Sequence, residues 1–171
     1  DCQNLVKAMF NDEKFSKAIN MSGVNSINWA RIIAQAVYYF YAFFKVGNSQ
    51  PLSFSVPTGN FGDIYAGYLA KKLGLPIDKL IVATNKNDIL HRAISGGDYT
   101  QKKVEETNTP SMDIQIASNF ERLLYDVKDC NSEVTKDVMA EIKNNTYKID
   151  INDLDKIKKN FISEMLDENE T

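Results

Sequence analysis

The clearest chemical signal in the chain is the run Ser55-Val56-Pro57-Thr58-Gly59-Asn60-Phe61-Gly62-Asp63. Two glycines three apart join an apolar strand pattern to a helical one. A glycine accepts positive φ and lets a ligand approach the backbone without a Cβ in the way. The helix behind the loop points unpaired N–H groups and a positive dipole end at the same spot. Together these features describe a pocket for a phosphate group, held by main-chain amides between Thr58 and Asp63. The Asp63 side chain would repel an anion, so it is expected to cap or turn away while its N–H faces the pocket. No Gly-Lys-Ser/Thr follows, so this is not a nucleoside-triphosphate loop, and no GxGxxG is present for a dinucleotide. A tight strand-to-helix turn with glycines serving only packing explains the same letters.

Other polar residues are candidates by position. Asn25, Ser26, Asn28 and Arg31 cluster at the start of an apolar helix, where Arg31 could give two parallel bonds to a carboxylate or phosphate. The competing reading is that Asn25 or Ser26 caps the helix and Arg31 pairs with a core carboxylate. Asn85, Asn87 and Asp88 follow a strand at its carboxyl end, where ligands collect in open α/β sheets; helix capping by Asn87 explains them equally. His91 has no carboxylate or cysteine at metal spacing and reads as structural or surface, so no metal site is expected.

These groups need elements to hold them. Leu5, Val6, Met9 and Phe10 predict a helix over 2–11, and 18–21 a short strand. Ile27 to Lys45 is apolar almost all round, which predicts a helix buried on several faces or meeting another domain or subunit. Strands are predicted over 52–56 and 79–84, the second covered on both faces. Helices follow at 62–73, stopped by Gly74 and Pro76, and at 88–95. Residues 96–110 read as a mobile loop, and Ile114-Gln115-Ile116 as a strand edge. Ser118 and Glu121 match a capping box opening a helix to Val127. Helices are expected at 135–144 and 154–166, a short strand at 147–149, and a frayed tail at 167–171. Alternating strands and helices predict one α/β domain over 1–171, three-layered αβα with a short parallel sheet.

Composition sets the outer bounds. With 43% hydrophobic and 25% charged residues over 171 positions, the chain can build a core. A net charge of -3 argues against a nucleic-acid binder. The apolar run at 27–46 carries Asn28, Arg31, Gln35 and Lys45, which argues against a membrane span. Cys2 and Cys130 lie far apart and read as free thiols of a cytoplasmic protein. The chain opens on Asp1, which reads as a fragment.

Several blocks in order resemble threonine synthase: Asn25-Ser26-Ile27-Asn28-Trp29-Ala30-Arg31, Pro57 to Asp63 with Ala66-Gly67 and Leu69-Ala70-Lys71, Ala83-Thr84-Asn85 with Asn87-Asp88, Met112-Asp113, and Ser118-Asn119-Phe120-Glu121-Arg122. The resemblance implies an internal piece, one lobe, of a fold-type II pyridoxal-phosphate enzyme that converts O-phosphohomoserine and water to threonine and phosphate. It implies that Gly59, Asn60, Phe61, Gly62 and Asp63 hold the cofactor phosphate. The family's Schiff-base lysine lies in an upstream Phe-Lys-Asp block that does not occur here, so no catalytic residue is expected in this chain and the chain alone is expected to be inactive. The rest of the enzyme would be its partner, and the apolar 27–44 helix would otherwise drive self-association. Asp113 and Arg122 have no role implied and are expected to form ion pairs. Rival readings are a dehydratase or cysteine synthase of the same fold type, and a non-catalytic phosphate-binding module.

Overall fold

The computed structural model describes residues 2–23, 28–47 and 50–167; the side chains of 2–4 and 7 are outside this description. Along the chain come α1 (Cys2–Asn11), α2 (Glu13–Ala18), α3 (Trp29–Val46), β1 (Leu52–Pro57), α4 (Gly62–Lys72), β2 (Ile77–Thr84) and α5 (Ile89–Gly96). A short 3₁₀ turn (Pro110–Met112), α6 (Phe120–Val127), α7 (Ser132–Lys143), α8 (Ile151–Lys158) and β3 (Phe161–Met165) complete the order. The strands form one parallel sheet in the order β1-β2-β3. The α/β class and the parallel sheet are as the sequence predicts.

The pairing register sets two faces of the sheet. On one, Phe54 stands beside Leu80 and Phe161, and Val56 beside Val82. This face carries the core. Leu80 and Phe161 are fully buried, and the Tyr39 ring of α3 meets Phe54 edge-on at 5.0 Å. Helix α4 lies closest. A Cβ at Gly67 would stand 2.5 Å from the Tyr39 ring and 2.9 Å from Leu80, so glycine is what lets α4 sit between α3 and the sheet. The other face presents Ser55, Ile81 and Ile162 side by side, with Ser55 and Ile162 exposed and Ile81 half-buried.

Helix α3 buries only the stripe Ile32, Ala36, Tyr39 and Phe43. Ile33, Val37, Tyr38, Tyr41 and Phe44 face outward and are exposed. Of the two readings of this wide apolar helix, burial on several faces does not hold within this chain. Its cap differs too: Asn28 Oδ1 accepts from Ala30 N–H at 2.9 Å. Asn25 and Ser26 lie outside the described residues.

Five local expectations are corrected. Ala18 is the last residue of α2, and 19–21 continue as a turn and coil, with no strand. The predicted helix 154–166 ends at Lys158, and the chain re-enters the sheet as β3, because Phe161 to Met165 pairs with Leu80 to Thr84. Ile114 to Ile116 forms no strand, and 147–149 contributes only an isolated antiparallel bridge between Lys148 and Asp98. Helix α6 starts after Asn119, with no side-chain cap bond, so the Ser118–Glu121 box is not used.

Two carboxylates tie these elements together at low pH cost. Burial pulls the Asp98 carboxyl upward, but Thr100 and the Arg92 guanidinium at 2.6 Å hold it down at about 2. The Lys128 ammonium at 2.8 Å and the Asp153 N–H hold Asp150 down at about 2. A carboxyl depressed in the folded state stabilises above its unfolded pKa of about 3.9 and loses that contribution as pH falls through the folded value. Thermal unfolding is therefore expected to be flat from neutral pH to about 5 and to fall steeply between about 4 and 2. Asp150→Asn should flatten part of that acid limb; an unchanged limb would contradict the assignment.

Candidate functional site

Strand β1 ends at Pro57, and the chain must then turn into α4. Thr58 N–H donates to Ala83 O at 2.8 Å, which stitches the loop to the carboxyl end of β2. Asn60 O accepts from both the N–H and the Nδ2 of Asn119, at 3.0 and 3.2 Å. Phe61 O accepts from Tyr65 N–H at 3.1 Å. Thr58 and Phe61 are buried, and the Phe61 ring packs on Phe120 and Phe161 at 5.2 and 5.6 Å between centroids.

The residue in the left-handed region is Phe61, at φ 67°, and neither Gly59 nor Gly62 has positive φ. This corrects the expectation that the glycines serve an unusual φ. They serve close approach instead. A Cβ at Gly59 would collide with the Ser111 carbonyl oxygen, and one at Gly62 would press on Asn119 and Ile32. A left-handed conformation costs a non-glycine residue roughly 1–2 kcal/mol, and here the buried ring contacts hold it.

The result is a set of unspent donors. Among the described residues, none of the N–H groups of Gly59, Asn60, Phe61 and Gly62 donates to a protein acceptor. The fifth expected donor differs: the Asp63 carboxyl turns onto its own N–H and accepts from Ile64 N–H at 2.7 Å. Burial pushes the Asp63 carboxyl above its usual range, against those bonds. Tyr39 Oη–H fixes the same residue from below, donating to Asp63 O at 2.8 Å. Burial, with the nearby Asp63 charge, raises the Tyr39 hydroxyl well above its ordinary value, so it stays a donor.

A cavity of about 240 Å³ opens at this turn, lined by Gly59, Asn60, Gly62 and Asp63 and by Arg31 and Gln35 of α3. Arg31 is exposed and, among the described residues, no carboxylate pairs with it, so the predicted core ion pair is not formed there. Asn28 lies at the helix start with both ends of its amide used, by Ala30 N–H and by Gly23 O at 2.7 Å. It acts as a cap. Among the described residues no lysine lines the cavity. Free amides at the start of an 11-residue helix, with one guanidinium at the rim, fit a phosphate group such as that of pyridoxal phosphate.

The polar residues after β2 form a different assembly. Asn85 Nδ2 donates to Thr107, Thr109 and Asp113, and its Oδ1 accepts from Asn87 N–H. Asn87 bonds both the N–H and the carbonyl of Glu105, and also Asp113. The Thr107 hydroxyl, opposed by burial and helped by Thr107 N–H, Asn85 and Asn87, lowers the Asp113 pKa. Asp113 is thus a carboxylate held by neutral donors, and among the described residues it forms no ion pair, which corrects the expectation. This network carries residues 105–113 over the carboxyl end of β2. Asp88 instead pairs with Arg92 at 2.9 Å and Lys102 at 3.3 Å. Asn87 caps nothing, because its side chain is spent on this loop. His91 lies in α5 away from the cavity, and Cys130 is an exposed free thiol.

A larger groove of about 990 Å³ runs between α4, α6 and α7. Its Tyr65 and Lys72 are already bonded to Asp126, and Ser132 at the start of α7 is part of its wall.

No family model matches the chain. It is 53% identical over 144 residues to a threonine synthase of Pseudomonas aeruginosa, covering 84% of this chain and 31% of that protein. It is 46% identical over 187 residues to the threonine synthase of Saccharomyces cerevisiae, covering 100% of this chain and 36% of that one. A crystal structure of PLP-bound threonine synthase from Brucella melitensis superposes with a TM-score of 0.91 at 50% identity, over 99% of this chain and 37% of that chain. The yeast enzyme superposes at 0.86 and 45% identity, over 98% and 35%. The chain spans about a third of the length of the relatives it matches.

Proposed function

Because this chain belongs to the threonine synthase family, we propose that it is the phosphate-holding part of a pyridoxal-phosphate enzyme of threonine biosynthesis, which converts O-phosphohomoserine and water to threonine and inorganic phosphate. The observation that carries this reading is the row of four unspent amides, Gly59 to Gly62, at the start of α4. They bind the cofactor phosphate and fix its position, with the helix dipole adding to the attraction. Arg31, on the opposite wall, takes the carboxylate or phosphate of the substrate, with Asn28 holding the helix turn that presents it. The loop pinned by Asn85, Asn87 and Asp113 stands beside the same cavity through Ser111 and Met112. Pyridoxal phosphate, when bound, supplies the electron sink for the carbon chemistry.

Among the described residues no lysine lines the cavity, which supports a catalytic lysine supplied from outside this chain. The remainder of the polypeptide supplies it and covers the bare surfaces: the outer face of α3 and the sheet face bearing Ser55, Ile81 and Ile162. Left alone, these apolar surfaces drive self-association. Among the described residues no helix is long and apolar enough to cross a membrane, and the free thiol of Cys130 suits the cytoplasm.

The test is turnover by the complete polypeptide. Release of phosphate from O-phosphohomoserine with formation of threonine is expected, with no deamination of serine and no cysteine synthesis. The 171-residue chain alone is expected to show no turnover and no stoichiometric imine with pyridoxal phosphate. Serine deamination without phosphate release would replace this reading by a dehydratase.

A further inference from the structure

We propose that Asn119 is a positioning residue for the cofactor phosphate, because it sets the direction in which the Phe61 N–H points. The inference rests on the phosphate cradle proposed above.

Asn119 is fully buried and every polar atom of its side chain is engaged. Its main-chain N–H and its Nδ2 both donate to Asn60 O, at 3.0 and 3.2 Å, which fills the two lone pairs of that carbonyl. The peptide joining Asn60 to Phe61 is trans and planar, so its carbonyl and its N–H point in opposite directions. Drawing Asn60 O inward onto α6 therefore turns the Phe61 N–H outward. The next peptide is fixed independently, since Phe61 O accepts from Tyr65 N–H and the Gly62 N–H must point away along the helix axis.

The orientation of the Asn119 amide is itself determined. Its Oδ1 accepts from Arg122 Nε at 3.0 Å, which leaves Nδ2 as the group facing the loop. Arg122 lies over the Trp29 ring at 5.1 Å, so the relay ties α3, α6 and the loop together. Phe61 sits at φ 67°, where a side-chain-bearing residue stays only under constraint. With one of the two bonds to Asn60 O removed, the Asn60–Phe61 peptide is free to swing, and the amide row loses its shared direction.

The experiment compares the equilibrium affinity of the apo form of the complete polypeptide for pyridoxal phosphate and for pyridoxal, which lacks the phosphate. Asn119→Asp keeps the shape and the partner of Arg122 but puts an acceptor where the Nδ2 donor was. It is expected to weaken pyridoxal phosphate by about tenfold or more and to leave pyridoxal within about twofold. The ³¹P resonance of the bound cofactor should shift with it. An unchanged affinity ratio, or an equal loss for both ligands, overturns the inference. If Asn119→Asp does not fold, Arg122→Gln carries the test, because it releases Oδ1 without touching the loop. A phosphate-specific loss of about threefold supports the relay, and none overturns it. A wild-type protein with no preference for the phosphorylated ligand would instead remove the cradle itself.

Discussion

Gly59→Ala is expected to cost the complete polypeptide about two to four orders of magnitude in pyridoxal phosphate affinity. The new methyl would meet the Ser111 carbonyl oxygen. That oxygen is main chain, and its neighbours Thr109 to Ile114 are bonded through the 3₁₀ turn and the Asn85–Asp113 network, so it cannot step aside cheaply. The loop moves instead. A shift that misdirects two amides removes two hydrogen bonds to a charged group, each worth about 1.5–3 kcal/mol. Pyridoxal affinity should change far less. Overpacking of this kind also costs about 1–3 kcal/mol of stability, so binding is read on protein shown to be folded. Equal affinity for pyridoxal phosphate in the variant and the wild type would mean that the loop does not hold the phosphate.

Phe161→Ala is expected to give the largest loss of stability, about 3–5 kcal/mol, read as a fall in the denaturant midpoint at constant slope. The ring is fully buried, stands beside Leu80 in the sheet, and packs on Phe61 and Tyr68 at 5.6 and 5.4 Å. Its removal leaves a cavity behind the one loop residue held in the left-handed region. Stability and cofactor affinity should therefore fall together. Val104→Ala, at an exposed site on the loop, should stay within about 0.5 kcal/mol of wild type. A loss below about 1 kcal/mol for Phe161→Ala would show that β3 does not seat this ring in the core as described above.

Much of this frame is readable from local pattern. The strand–loop–helix at 52–72 announces itself because apolar alternation stops at Pro57 and helical spacing starts at Gly62. The strand β3 does not. Leu154, Ile157, Phe161 and Met165 fit a helical stripe as well as Phe161, Ser163 and Met165 fit one face of a strand, and only pairing with distant Leu80 to Thr84 decides between them. The capping box at Ser118 fails for a related reason. Its pattern is local, but the demand on the segment is not: Asn119 is drawn to Asn60, and the helix start moves with it.

The site shows the same division. Glycine spacing marked the strand-to-helix loop proposed to hold an anion, yet the strained residue is Phe61, whose conformation depends on rings from α6 and β3 that no local pattern reveals. Asn85, Asn87 and Asp113 were visible as polar residues after a strand, but their mutual bonding across the 105–113 loop was not. Asn119 gave no signal beyond its place in a block resembling the family. Helix α3 is apolar on more sides than this chain covers, and the sequence alone does not say which stripe turns inward: Ile32, Ala36, Tyr39 and Phe43 do, while Ile33, Val37, Tyr38, Tyr41 and Phe44 stay exposed.

The most direct measurement is a crystal structure of the complete polypeptide with pyridoxal phosphate bound. The main-chain nitrogens of Gly59, Asn60, Phe61 and Gly62 should lie within hydrogen-bond distance of the phosphate oxygens, with Asn60 O still turned onto Asn119. A phosphate group seated elsewhere, with those four nitrogens facing only solvent, would contradict the account.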